Sequence, residues 1–356
     1  DGCHVIFTAC KLGRTFCSTI LVNAMHRAVL AIVVVGVTLL RLHLVGLGPE
    51  ASAISQLLAR RPEIVTPLTS PFHSTECIAL IKQGQSPYSG SICHEPPVTL
   101  YFHFLFDSHQ HIKVLLYVLL DVGSALLLSS IFVSELKLQQ SKEADALKRL
   151  ESANHQQWIR LRDAPTLSQW LHTSDWPLIA TLWLANPFNI MVYVAQSVSV
   201  VHNFLCILSV WCMMNHRVAA GSIVIAYTTH VGVYPIVLVF PLLAQANNRL
   251  TTLVVFVVSL GALVLFSFSF EENWRWVFPT LGTVTFVADL TPNIGLCWYL
   301  LTEMFDHFRD YFIALLHIST LLMVIAVSFK FWKSPLFLAT MLVGITSVVK
   351  TYPSVA

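Results

Sequence analysis

Between Arg249 and Glu271 the sequence carries no charge, and about 20 consecutive apolar residues are what a helix needs to cross the hydrocarbon of a bilayer. The pattern recurs along the chain. Apolar helical candidates fall at 28–47, 97–106, 112–133, 177–196, 198–214, 218–246, 251–270, 311–329 and 335–349. Of 356 residues, 55% are hydrophobic and 11% charged, against about 25% charged in ordinary soluble domains. A chain so poor in charge cannot solvate the surface of a water-soluble globule. The expected fold is all-α, a polytopic helical membrane protein with room for roughly eight to ten crossings, forming one membrane domain over 25–356.

The same numbers exclude other classes. A net charge of +2 without a long basic run argues against nucleic acid, because phosphate binding needs clustered Lys and Arg. The eight cysteines form no CxxC pair, so neither a zinc site nor a disulfide framework is expected, and Cys3, Cys10, Cys206, Cys212 and Cys297 sit among apolar residues. Cys77 and Cys93 share one loop and could pair in an oxidising compartment. No HExxH, P-loop or nucleophile elbow is present. The adjacent Cys93 and His94 would point apart, which disfavours a Cys-His nucleophile. Met25, followed by His26-Arg27 and the apolar run 28–47, reads as the start of a retained signal anchor. Residues 1–24 then read as an upstream extension, and the stop at Ser354-Val355-Ala356 as a C-terminal truncation.

Orientation follows from the basic residues. Lys137, Lys142, Lys148, Arg149, Arg160 and Arg162 mark 134–170 as cytosolic, together with the connections at His216-Arg217, Arg249 and Lys330 to Lys333. The segments 49–96 and 271–310 then face the lumen. This scheme closes only if 97–106 does not cross fully and 218–246 splits into two crossings at Tyr234-Pro235; a single kinked helix is the other reading of that run. Residues 134–151, with interspersed acids and bases, read as a solvated helix.

Polar groups concentrate in the two lumenal segments. Ser86-Pro87-Tyr88-Ser89-Gly90 sets a tight loop, and Pro96-Pro97 suits the first turn of a helix. His94 and Glu95 therefore stand before a helix N-terminus at the membrane surface, either receiving an anionic group such as a lipid phosphate or capping and solvating the helix. In the second segment, Asp289-Leu290-Thr291-Pro292-Asn293 predicts a helix start. Tyr299, Glu303, Asp306, His307 and Asp310 share one arc of that helix, while Trp298, Leu301, Met304, Phe305 and Phe308 share another. It reads as an interfacial helix, whose acidic face either meets an amine- or sugar-bearing headgroup or is merely solvated. Asp121, Asn186, His202, Asn203 and His230 are polar groups inside predicted spans. Asp121 and His230 are the ionisable ones singled out there, as functional groups or as interhelical hydrogen-bond partners.

At Ser86-Pro87-Tyr88-Ser89-Gly90, His94-Glu95, Asp289 to Leu296, Trp298-Tyr299 and Glu303-Met304-Phe305 the sequence resembles the PIG-U family, subunit U of the GPI transamidase complex. The resemblance extends from about Met25 to Pro353, and family members continue into further membrane helices. It implies a multi-pass subunit of the endoplasmic reticulum membrane that binds or presents the GPI lipid without catalysing the reaction. Its partners would be the other transamidase subunits, including the caspase-like catalytic one, and it would need no cofactor and no metal. Tyr88, His94, Glu95, Asp289, Asn293, Tyr299 and Glu303 are then the residues expected to line or shape the GPI-binding region. A more distant similarity is to the GPI mannosyltransferases of the glycosyltransferase C class, through Ser86-Pro87-Tyr88, Asn186-Pro187 and His230 to Tyr234-Pro235. It implies a glycosyltransferase-C-like bundle with lumenal interfacial helices. It also supplies an alternative function: mannose transfer from a polyprenyl-phosphate donor, with Glu63 as general base. The chain departs from that class, with Glu63 the lone acid of Arg61-Pro62-Glu63, Gln196-Ser197 after the Asn-Pro helix, and no lysine between His230 and Tyr234. A transporter or lipid scramblase is the third class, suggested only by Asp121 and His230.

Overall fold

A computed structural model describes residues 28–29, 32–33, 35–40, 49–90, 92–107, 109–153, 176–271, 274–286, 292–293 and 295–350. Every regular element among them is helical, as the apolar periodicity requires. The helices are α1 (Pro49–Ala59), α2 (Pro71–Lys82), α3 (Pro97–Phe106), α4 (Gln110–Ala153), α5 (Trp176–Leu184), α6 (Pro187–Val194), α7 (Ser199–Met214), α8 (Val218–Gly232), α9 (Val239–Gln245), α10 (Arg249–Phe270), α11 (Thr283–Phe286), α12 (Leu296–Thr302), α13 (Asp306–Lys330) and α14 (Pro335–Val349). Proline opens α2, α3, α6 and α14, where its missing N–H costs nothing. Asn186 and Asn248 cap α6 and α10, their side-chain oxygens accepting from the backbone N–H of Phe188 and Thr251.

The chain divides into two compact units, Asp1–Leu40 with Ala125–Ala185, and Arg41–Ser124 with Asn186–Ala356. In the first, the Ser129 hydroxyl lies 2.8 Å from the carbonyl of Ala125 and 3.1 Å from that of Trp176, and Ala180 and Leu184 are buried. The second holds the larger core. Met213, Ile225, Ala226, Leu238, Leu242 and Phe256 pack α7, α8, α9 and α10 together. Tyr117, Val192, Tyr193 and Val200 join α4, α6 and α7. Cys77, Ile78, Tyr88, Cys93, Leu100 and Trp276 form a third cluster beneath the 83–96 loop.

Three described helical segments are long and apolar enough to cross a membrane: His111–Ala146, Arg249–Phe270 and Asp306–Lys330. Trp176–Leu184 with Pro187–Val194 makes a fourth if the two form one broken span. α3, at 10 residues, is about 15 Å long and too short to span.

Several elements differ from the sequence expectation. The solvated helix at 134–151 is not separate: α4 runs unbroken for 44 residues, because no Gly or Pro interrupts the passage from apolar to charged sequence after Gly123. The run 218–246 does split. Val233 takes φ 57°, Tyr234–Leu238 forms a 3-10 turn, and α9 returns along α8 until the Gln245 amide lies 3.3 Å from the His216 ring. The single helix expected from Thr291 through Asp310 is instead two. α12 ends at Thr302, Phe305 is extended, and α13 starts at Asp306, so Asp306, His307 and Asp310 occupy the first turns of a helix long and apolar enough to span. The acidic arc therefore belongs to two elements. Cys77 and Cys93 form a disulfide with Cα atoms 5.8 Å apart, because the 3-10 turn Pro87–Ser89 folds the chain back between them.

Within the second unit the basic connections meet at one end. Gln245 reaches His216, and the Arg249 guanidinium stacks 5.1 Å over Trp332. The polar segments around 86–94 and 271–283 meet at the other, where the Ser86 hydroxyl donates to Glu271 and the His94 ring to the Pro279 carbonyl at 2.9 Å.

Candidate functional site

At that second end lies a polar cavity of about 230 Å³, lined by His94, Glu95, His202, Asn203, Cys206 and Lys350 among others. Three elements supply these groups. His94 and Glu95 come from the loop entering α3. His202, Asn203 and Cys206 share one side of the first two turns of α7, following the spacing of neighbours on a helix. Lys350 caps the last turn of α14, its N–H bonded to the Thr346 carbonyl at 2.8 Å.

The walls are held by local bonds. The Val198 N–H and the Ser197 hydroxyl both reach the Thr69 carbonyl at 3.3 Å, tying the loop before α2 to the start of α7. The His94 Nδ1 donates to the Pro279 carbonyl and lies 3.2 Å from the Thr283 hydroxyl. The Glu95 carboxylate accepts from the Ser74 hydroxyl, and its second oxygen is 3.7 Å from His103 Nε2. Burial pushes the Glu95 carboxyl up to about 7, against the help of Ser74 and the nearby Lys113 charge. Burial also raises the Tyr88 hydroxyl well above its ordinary value, and that hydroxyl donates to the Glu95 carbonyl at 2.7 Å. Lys350 has its pKa lowered by burial, so a bound anion there would restore the charge that desolvation penalises.

A larger cavity of about 480 Å³ adjoins the polar one. Its walls come from the Val233–Leu243 hairpin segment, α10, α12, α13 and α14, and are almost wholly apolar. Tyr234, Val237 and Thr346 line both cavities.

The residues singled out from sequence do not all converge here. His94 and Glu95 line the polar cavity. Tyr88 is buried in the cluster beneath it and braces Glu95 from behind. Asp289 lies outside the described residues. Asn293 makes a local turn, its side-chain oxygen accepting from the Gly295 N–H at 2.7 Å. Tyr299 is exposed on α12 and Glu303 exposed just after it, and neither lines a cavity. The opposite face of α12 matters instead, since Cys297 and Leu301 line the apolar cavity. Asp121 is buried on α4. His230 bonds across to the Ser267 hydroxyl of α10 at 2.9 Å and packs edge-on against Trp276. Glu63 is exposed and lines neither cavity.

Sequence reasoning missed Lys350 and did not group Cys206 with His202 and Asn203. The i, i+1, i+4 spacing of polar residues at one end of an apolar helix was the available signal for the α7 set. Among the described residues, no three His, Cys, Asp or Glu side chains converge to hold a metal ion.

The arrangement suits holding an amphipathic molecule: hydrogen-bonding and cationic groups on one side, an apolar chamber on the other. Comparison with known proteins agrees with the family resemblance. Residues 36–356 match the family model described as GPI transamidase subunit PIG-U. The mouse GPI-anchor transamidase component PIGU is 28% identical over 325 residues, covering 85% of this chain and 71% of that protein. Its human counterpart is 27% identical over 326 residues, covering 85% and 72%. The GPI transamidase component GAB1 of Saccharomyces cerevisiae is 27% identical over 308 residues, covering 85% and 69%. The chain therefore belongs to the PIG-U family of GPI transamidase subunits.

Proposed function

We propose that this subunit is non-catalytic and binds the GPI lipid in the endoplasmic reticulum membrane, presenting it to the caspase-like catalytic subunit of the transamidase. The reaction replaces a C-terminal signal peptide with an amide bond to the GPI ethanolamine. The nucleophile comes from the partner, and this chain contributes position: a bound amine held in line with an acyl group reacts as though at very high local concentration. The observation that carries the reading is the polar cavity opening beside an apolar one, at the end of the unit away from the basic loops. His202, Asn203 and Lys350 offer donors to phosphate and sugar oxygens. Mannose transfer draws no support from the site, since Glu63, its candidate base, lies outside both cavities.

Depleting the protein from cells and analysing labelled GPI intermediates tests this reading. The expected result is complete GPI lipid accumulating together with unprocessed proprotein. Accumulation of a mannose-deficient precursor would overturn the reading and return Glu63 to attention. Mild-detergent purification of the tagged protein should recover the caspase-like subunit and mature GPI lipid together.

A further inference from the structure

We propose that the two cavities are halves of one phospholipid site, in which Lys350 meets the phosphodiester and an acyl chain lies in the apolar cavity beyond Tyr234. This rests on the reading of the protein as a GPI-binding subunit and specifies which parts of that lipid the chain grips.

Three observations carry it. The cavities are neighbours, because Tyr234, Val237 and Thr346 belong to both linings. The larger one is built to be dry. Besides Tyr234, which it shares with the polar cavity, its wall has four polar side chains that turn back onto backbone carbonyls: His317 onto Ile313, Thr320 onto Leu316, Thr346 onto Leu342 and the Cys297 thiol onto Val349. An apolar chamber of this kind excludes water and accepts hydrocarbon. At about 480 Å³ the chamber is large enough to take an acyl chain.

The polar half carries the complementary charge. The titratable groups lining it are His94, Glu95, His202, Cys206, Tyr234 and Lys350. Its carboxylate, Glu95, is engaged by Ser74 and lies 3.7 Å from His103 Nε2. Neither the Lys82–Asp107 ion pair nor that of His103 with Glu95 uses Lys350. A lysine ammonium at the mouth of an apolar chamber fits a lipid phosphate, a point charge meeting a point charge.

The protein carries its own reporters. Cys206 lines the polar cavity and Cys297 the apolar one, while the free thiol of Cys212 lines neither. The test uses the intact transamidase complex in a maltoside detergent, which lacks phosphate. A small apolar thiol reagent, methyl methanethiosulfonate, is followed by peptide mass spectrometry. Dipalmitoyl phosphatidylinositol should slow modification of Cys206 and Cys297 with one shared concentration dependence and leave Cys212 unchanged. Glycerophosphoinositol, which lacks the chains, should protect Cys206 alone and only at much higher concentration. Lys350→Gln should weaken protection by the diacyl lipid about tenfold or more at both thiols, as loss of a charge-assisted bond implies, and Lys350→Arg should restore it. Protection of one thiol only, different concentration dependences, a Cys297 unreactive without lipid, or no effect of Lys350→Gln would each overturn the bridging site. GPI recovered with the same preparation separates the two readings. GPI present with only one thiol protected defeats this inference and spares the function; GPI absent with neither protected defeats both.

Discussion

A methyl group added at Gly232 would lie 2.6 Å from the His202 ring nitrogen, so the absence of a side chain there is what lets His202 occupy the wall of the polar cavity. Alanine normally favours a helix over glycine by about 1 kcal/mol, but this contact reverses the sign. Gly232→Ala should destabilise the protein by about 1–3 kcal/mol and reduce the GPI recovered with the purified complex; unchanged melting and unchanged recovery would contradict it. Glu95 gives a second prediction. Its carboxyl sits at about 7 instead of 4.5, so the native state holds this proton more tightly than the unfolded chain does. The resulting stability is fully present below about pH 4.5 and is lost as pH rises through about 7, a difference of about 3 kcal/mol. Glu95→Gln cannot titrate and still accepts from Ser74. Thermal unfolding of the two complexes should therefore diverge between about pH 5 and pH 8, with wild type losing stability relative to the variant; parallel curves would count against the buried acid. The sequence showed His94 and Glu95 because they abut Pro96-Pro97. It could not show Lys350 beside Cys206, since only the packing of α14 against α7 brings those positions together.

At the scale of elements, the pairing of α8 with α10 rests in part on one buried polar contact. Ser267→Ala would leave the His230 ring nitrogen without its 2.9 Å partner and should cost about 1–3 kcal/mol, read as a lower melting temperature of the purified complex; a neutral result would show that water replaces the hydroxyl. The division of 218–246 into two antiparallel helices was legible only as a condition, the one required for the basic loops to share a side. Its cause was not legible. A valine is a poor candidate for φ 57°, and the close approach of Leu242 to Gly221, where an added Cβ would lie 3.0 Å from the leucine, points to packing and not local preference as what holds the return. The break between α12 and α13 was hidden for the opposite reason. Glu303-Met304-Phe305 contains no Gly or Pro, and its residues continue the helical wheel across a joint that only the extended Phe305 reveals.

For the whole molecule, composition pointed to the membrane class, and the basic connections of the second unit gather at one end, the arrangement that a sidedness read from Lys and Arg requires. The Cys77–Cys93 disulfide belongs with the polar end, where an oxidising lumen would preserve it. Non-reducing peptide mapping should find the two cysteines linked, and replacing both with serine should cost about 3 kcal/mol for a loop of this size. An N-glycosylation acceptor placed in the exposed turn at Gly84 should be glycosylated, whereas one placed near Lys142 should not; the reverse pattern would invert the topology. Crossing number behaves as a parity, and the hairpin at Val233 sets it. If α8 ran straight on through Pro235, everything from Arg249 onward would arrive on the opposite side, and Lys350 would stand across the bilayer from His94. That these two residues line one chamber makes the chamber itself a count of the turns before it: any change that adds or removes one reversal between them takes the site apart without touching a residue in it.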